Sequence, residues 1–334
     1  MHLLIPYAAS QSPECRLALA TLKLPHLDRL LRQMPLAGTD LGDENSLSPP
    51  HERALAAANG FNAPDGQLAW GAWHALQAGH AVAADEAWAV ITPCHWTVQT
   101  NHIVLTHPRA LNLTDEESRG LLAAMNPYFA EDGITLLYDT PTRWLARGDI
   151  FAGLATASPY RVIGRPVDDW IPKAAAAKGL RRLQQEMQML LYTHALTDAR
   201  SERGLLAVNS FWVSGTGALP LQMVSAVPRQ TTAIEMPVTL RDAAVREDWA
   251  AWALAWQAID ANECAALLAA LDSNGAATLT LCGERHAQRF EQSPGSKSYH
   301  KSSKNLQFDR LTAVFHRIVR QFRPQLTNNI LSSL

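Results

Sequence analysis

Four arginines, Arg143, Arg147, Arg161 and Arg165, fall close together where the surrounding pattern predicts strand ends and loops. Guanidinium forks placed there either converge on a phosphate or carboxylate or stand apart as solvated surface charges. The loops that carry two of them, Ser158-Pro159-Tyr160-Arg161 and Gly164 to Trp170, are rich in turn-forming and polar residues. Asp168 and Asp169 in the second loop either line a site or cap a helix. A second run is more distinctive: His194, Asp198, Arg200 and Gly204, followed by Val208-Asn209-Ser210-Phe211-Trp212-Val213-Ser214-Gly215-Thr216-Gly217. It reads as a strand entering a glycine-bracketed turn, which either presents N–H groups and the Ser214 and Thr216 hydroxyls to an anion or serves as a tight structural turn. Asn209 and Trp212 lie on the strand part. Near the end of the chain, Glu284 and His286 stand two apart in an extended segment, where a carboxylate and an imidazole share one face and offer a metal two ligands. Asp40, Asp43, Glu44 and His51 are a further acidic grouping, metal site or solvated loop. Arg182 and Glu186 have the spacing of an ordinary helical ion pair. No P-loop, G-x-S-x-G elbow or G-x-G-x-x-G fingerprint occurs.

These residues need a scaffold, and the chain has material for one. It has 334 residues, 47% apolar and 18% charged, enough for a sizeable core, more than one small module and too little charge for a disordered chain. No apolar run reaches the length of a membrane span, and the N-terminal residues lack the basic and long apolar regions of a leader, so a soluble cytoplasmic protein is expected. Cys15, Cys94, Cys264 and Cys282 are far apart and read as core or strand residues.

Leu3-Leu4-Ile5-Pro6 predicts a buried strand, Leu24 to Leu31 a helix with proline in its first turn, and Ser48 the N-cap of a helix closed by Gly60. From 86 to 147 the order is strand, strand, helix, strand, strand. Trp88–Ile91, His102–Leu105, Ile134–Tyr138 and Trp144–Ala146 supply the strands, and a capping box at Thr114 opens the helix. An antiparallel sheet with one covering helix is expected there. Leu180, Leu183, Met187, Leu190 and Leu191 form one helical stripe, with His194 at its end, and Trp249, Trp252, Trp256 and Ile259 form another. A further helix near 262–271 and a strand 277–282 follow. Residues 292–334 carry seven Lys/Arg against Asp309, leaving a net of minus 8 on the remainder. In that tail Phe308, Leu311, Phe315, Ile318 and Phe322 fall at helical spacing after a Ser/Lys-rich linker, 293–304. A segment this apolar is expected to dock on the body, a partner protein or a second copy rather than reach out to nucleic acid.

The run from His194 to Gly217 resembles a segment of the archaeal-type cofactor-independent phosphoglycerate mutases, in the alkaline phosphatase superfamily. Leu24-Pro25-His26-Leu27-Asp28 and Trp256-Gln257-Ala258-Ile259-Asp260 resemble two further motifs of that group. Taken whole, the chain more specifically resembles the bacterial RpfE-type regulatory proteins. The resemblance implies an α/β fold, an alkaline-phosphatase-like core with an inserted α+β subdomain: core parts 1–85 and 151–290, insert 86–150, basic linker and helix 291–334. It implies phosphotransferase chemistry on two divalent ions and a serine nucleophile. Where that group has its first-strand Asp, this chain has Tyr7-Ala8-Ala9-Ser10. Where it has Asp-His after a late strand, Cys282-Gly283-Glu284-Arg285-His286 stands. The expectation is therefore a phosphoglycerate-mutase-like binding or regulatory protein without the metal pair, taking a phosphate-like or anionic small molecule at Arg143, Arg161, Arg165, Asp168, Asp169, His194, Asp198, Arg200, Asn209, Trp212 and Ser214. The alternative is an active phosphomutase or phosphohydrolase with a rebuilt site.

Overall fold

The computed structural model describes residues 1–224, 233–293 and 326–334. Its strands are β1 (His2–Ile5), β2 (Leu36–Asp40), β3 (Trp88–Cys94), β4 (Trp96–Val98), β5 (Ile103–Leu105), β6 (Thr135–Thr140), β7 (Arg143–Arg147), β8 (Ser210–Gly217), β9 (Ile234–Glu235), β10 (Ala277–Cys282) and β11 (Ala287–Gln292). They form sheets ordered β2-β11-β10-β1-β9 and β6-β7-β3-β8, with β4-β5 as a separate hairpin. With helices throughout, the fold is the mixed α/β type expected. The chain divides into two compact units, Met1–Glu44 with Gln230–Leu334, and Asn45–Arg229. The span 86–150 lies within the second.

In the first unit β1 runs parallel to β10, with Leu3 opposite Leu279 and Ile5 opposite Leu281. Parallel strands are covered on both faces, which is why their sequences are continuous apolar runs. Leu3, Ile5, Leu279 and Leu281 are fully buried among Leu27, Trp252 and Trp256. The helix Pro25–Gln33 has no cap of its own, because Leu24 precedes it. Asp260 supplies one. Its carboxylate, 3% exposed, accepts from the Leu27 and His26 backbone N–H groups at 2.8 and 3.3 Å and lies 3.0 Å from His26 Nδ1. Asp260 opens a π-turn, Asp260–Cys264, that joins the helices Trp249–Ile259 and Ala265–Asp272. The two motifs singled out around Pro25 and Asp260 therefore meet, as a helix and its cap.

In the second unit the Thr114 capping box forms and opens the helix Asp115–Glu131. The expected sheet differs in membership. β5 pairs with β4 in the hairpin, and the fourth strand of the sheet is β8, antiparallel to β3. The predicted turn at Gly215 and Gly217 is thus strand. Both glycines have positive φ, 60° and 134°, beside an irregularity in the β3–β8 register, and both also answer a packing demand: a Cβ on Gly215 would lie 2.8 Å from Trp70 Cβ and one on Gly217 2.8 Å from Gln67 O. Gly71 is similar, a Cβ there lying 2.6 Å from the Ala89 backbone. The helix Trp70–Gln77 rests directly on β3 and β8. Ser48 is not the N-cap expected of it; Pro49 takes that place, and the Ser48 hydroxyl accepts from Gly66 N at 2.9 Å. His194 does not close the preceding stripe, since the helix Lys178–Tyr192 ends before it. The expected tail helix, 308–322, and the linker beyond Ser293 lie outside the described residues.

Candidate functional site

The first sheet is mixed, with β11 antiparallel to β10 and β2, and at its parallel strands β1 and β10 the loops at the carboxyl ends are the usual place for chemistry. After β1 the chain turns through Tyr7, whose φ of 54° is an uncommon conformation for a bulky residue. Ala8 N donates to Cys282 O at 2.8 Å, tying the ends of β1 and β10 together. The Tyr7 and Ala8 carbonyls accept from the buried indoles of Trp252 and Trp256 at 2.9 and 3.1 Å. The Ser10 hydroxyl, on a residue 8% exposed, accepts from Ser12 N at 3.2 Å. Glu284 accepts from Gln11 N at 3.0 Å, and His286 Nδ1 from Gly42 N at 3.3 Å. Each fastens a neighbouring loop. Cys282 is fully buried, and a Cβ on Gly283 would lie 2.6 Å from Leu334 O. Burial pushes the neighbouring Cys15 thiol up to about 11. Among the described residues no three His, Cys, Asp or Glu side chains converge as a metal would require.

The arginines of the second unit divide by partner. Arg143, at the start of β7, is held by the Asp139 carboxylate. His74 titrates at about 4, lowered first by burial and then by the Arg143 charge, with Asp139 opposing. Arg147 pairs with Glu86 at 3.1 Å. Arg161 is buried and donates through Nε to Ser46 O at 2.6 Å. Arg165 is exposed. The Arg161 and Arg165 guanidiniums lie 5.7 and 6.0 Å from the ring of Trp170, within cation–π reach. Asp168 and Asp169 occupy the exposed turn between.

His194 caps the helix Ala195–Glu202, its Nδ1 accepting from Leu196 N at 3.2 Å, and Asp198 sits exposed in the first turn. Arg200 is 1% exposed. It donates to Glu117, to Leu111 O and, at 2.9 Å, to Leu206 O. Asn209 pairs through both ends of its amide with the Trp96 backbone, at 2.7 and 3.0 Å. Trp212 donates to Ala157 O at 2.8 Å. Ser214 is buried on β8 opposite Val90, and Thr216 donates to Leu154 O at 2.5 Å.

The fold thus brings Trp212 and Trp170 into one apolar cluster with Trp96, Val162 and Val167, with Arg161 and Arg165 over Trp170 and Asn209 securing Trp96. Arg143, Arg200, His194 and Asp198 lie on other elements. A crevice beside Trp212, lined by Ile171, Leu180, Arg181 and Gln184, has a volume of about 20 Å³, room for one water. Trp170 is the member that sequence reasoning passed over. Its signal was an aromatic residue just beyond two arginines four apart.

The chain matches no protein-family model and no curated protein sequence. Two solved structures are similar to it along most of their length. A cofactor-independent phosphoglycerate mutase from Thermoplasma acidophilum DSM 1728 is 13% identical with a TM-score of 0.36, covering 89% of this chain and 91% of that one. The PH0037 protein from Pyrococcus horikoshii is 11% identical with a TM-score of 0.46, covering 87% and 86%.

Proposed function

We propose that this chain is a phosphoglycerate-mutase-like protein of the RpfE regulatory type, which binds an anionic, phosphate-like small molecule and performs no metal-dependent phosphoryl transfer. The observation that carries this reading is what fills the carboxyl ends of β1 and β10. Two-metal phosphoryl transfer needs several anionic ligands around both ions. Here the loop carbonyls are taken by Trp252 and Trp256, Cys282 is buried, and Glu284 is engaged by Gln11 N. These donors do not fit a metal pair. For the ligand, Arg165 is the exposed cation beside Trp170, which serves as an aromatic floor and carries the buried Arg161 on the same ring. Among the described residues no helix is long and apolar enough to cross a membrane. Cytoplasmic residence belongs to the reading, and four buried thiols without a disulfide suit it.

The test joins divalent-metal titration and elemental analysis to a coupled mutase assay with added manganese, beside calorimetry with inorganic phosphate. The expected outcome is no stoichiometric metal, no turnover, and phosphate binding that Arg165→Ala weakens several-fold. Two ions per chain with turnover abolished by Ser10→Ala would replace this reading with that of an active phosphomutase or phosphohydrolase with a rebuilt site. Phosphate binding indifferent to Arg165→Ala would place the ligand elsewhere.

A further inference from the structure

From Trp249 to Leu271 the chain carries charge only at Asp260 and Glu263. Asp260 is spent inside as a helix cap. The inward face of this helical stretch is Trp252, Trp256, Ile259, Leu267 and Leu268, all buried. Its outward row, Ala250, Leu254, Ala258, Ala261 and Ala269, is exposed and uncharged, with Leu254 66% exposed. Apart from the exposed Gln257 and Asn262 the outer side is apolar too, and a helix apolar on its outer as well as its inner side is one that something covers. The adjoining helix Pro13–Thr21 adds Leu17, 72% exposed and directed opposite its buried Cys15 and Leu19.

The occupant is tethered nearby. The helix Leu326–Ser332 packs on the helices Pro13–Thr21 and Pro25–Gln33, with Leu326 and Ile330 against the same core. Phe322 is four residues before Leu326 in the sequence, a tether of at most about 14 Å. The apolar side chains of Phe308, Leu311, Phe315, Ile318 and Phe322 recur at the spacing of one helix face. Arg310, Arg317, Arg320 and Arg323 accompany them. Charge favours it by a small margin: the exposed acids Glu14, Glu247 and Asp248 stand at the starts of these two helices and outnumber the exposed Arg16 and Arg246 beside them. We propose that residues 306–322 of the same chain dock on the face formed by the helices Pro13–Thr21 and Trp249–Ile259, covering Leu17 and Leu254.

Limited trypsin digestion of the full chain reads this through cleavage at Arg310, Arg317 and Arg320. Docking predicts slow cleavage in the unaltered protein, quickened about tenfold by Leu254→Glu or Leu17→Glu through loss of protection, and unchanged by Met189→Glu, an exposed position on the other unit. In the reverse direction, Phe315→Glu is expected to speed hydrogen exchange along Trp249–Ile259. Both altered leucines are exposed, so the variants fold. Equal cleavage with and without Leu254→Glu overturns the proposal. So does a dimer that Leu254→Glu dissociates with cleavage unaltered, which would assign the face to a second copy. Binding of anionic phosphatidylglycerol vesicles that Phe315→Glu abolishes, with no change in hydrogen exchange along Trp249–Ile259, would assign the segment to a lipid surface and likewise overturn it.

Discussion

His2 and His74 are each held well below the ordinary histidine range, at about 4. Burial is the first cause in both. At His74 the Arg143 charge adds to it, and at His2 Arg289 and the N-terminal amine do. A depressed histidine is neutral in the folded chain where the unfolded chain has already taken its proton. Stability is therefore complete above about pH 6.5 and is lost as pH falls toward 4. The melting temperature is expected to fall across that window, and less steeply in His74→Leu, measured by circular dichroism at half-unit pH steps. Arg200 makes a second residue-scale prediction. Its guanidinium is buried and shared between Glu117 and two carbonyls, while Arg203 holds the other carboxylate oxygen. Burial alone would raise the Glu117 carboxyl, but Arg203, the Thr114 backbone and Arg200 together hold it below the usual carboxylate range. Arg200→Ala leaves a buried carboxylate short of a partner and is expected to cost about 3–5 kcal/mol in urea unfolding. Phosphate would not restore that loss, as it would if Arg200 were a ligand-binding residue.

At the scale of elements, close approach and borrowed caps set the tolerances. A Cβ on Gly71 meets the Ala89 backbone at 2.6 Å, and neither helix nor strand can yield without disturbing the sheet. Gly71→Ala, favourable for an isolated helix, is here expected to destabilise by about 1–3 kcal/mol. Gly79→Ala meets nothing within 4 Å but sits at φ +82°, so its cost is backbone strain alone, about 1 kcal/mol. Ranking the two by thermal melts separates packing from strain. Asp260→Ala removes the acceptor for two backbone N–H groups and is expected to cost about 2 kcal/mol. Amide exchange should quicken first at the start of the helix Pro25–Gln33.

At the scale of the molecule, the apolar core of the first unit and the clusters of the second are separate sets of residues. Each unit therefore has its own source of cooperativity. The thiols report on them separately. Cys15, Cys264 and Cys282 belong to the first unit and Cys94 to the second, all buried. The native protein is expected to show no fast thiol, and denaturant to release Cys94 in a different phase from the other three. A single phase for all four would mean that the units unfold together.

Local pattern alone determined much of this protein. The strands at Leu3 and Trp88, the Thr114 capping box, and the buried stripes through Leu183 and Trp252 follow from apolar period and cap chemistry, which neighbouring residues settle among themselves. Only the tertiary structure decided which partner each segment meets. β8 joined β3, and β5 left the sheet, because strand pairing depends on edges distant in sequence. Gly215 proved to lie inside β8, with a left-handed φ of 60° and its backbone against Trp70, since a glycine in a strand irregularity and one in a turn read alike. Arg200 and Asn209 have the composition of an anion site, but the Glu117 carboxylate with the Leu111 and Leu206 carbonyls engages the first, and the Trp96 backbone the second. What a polar side chain does is fixed by the groups that reach it first.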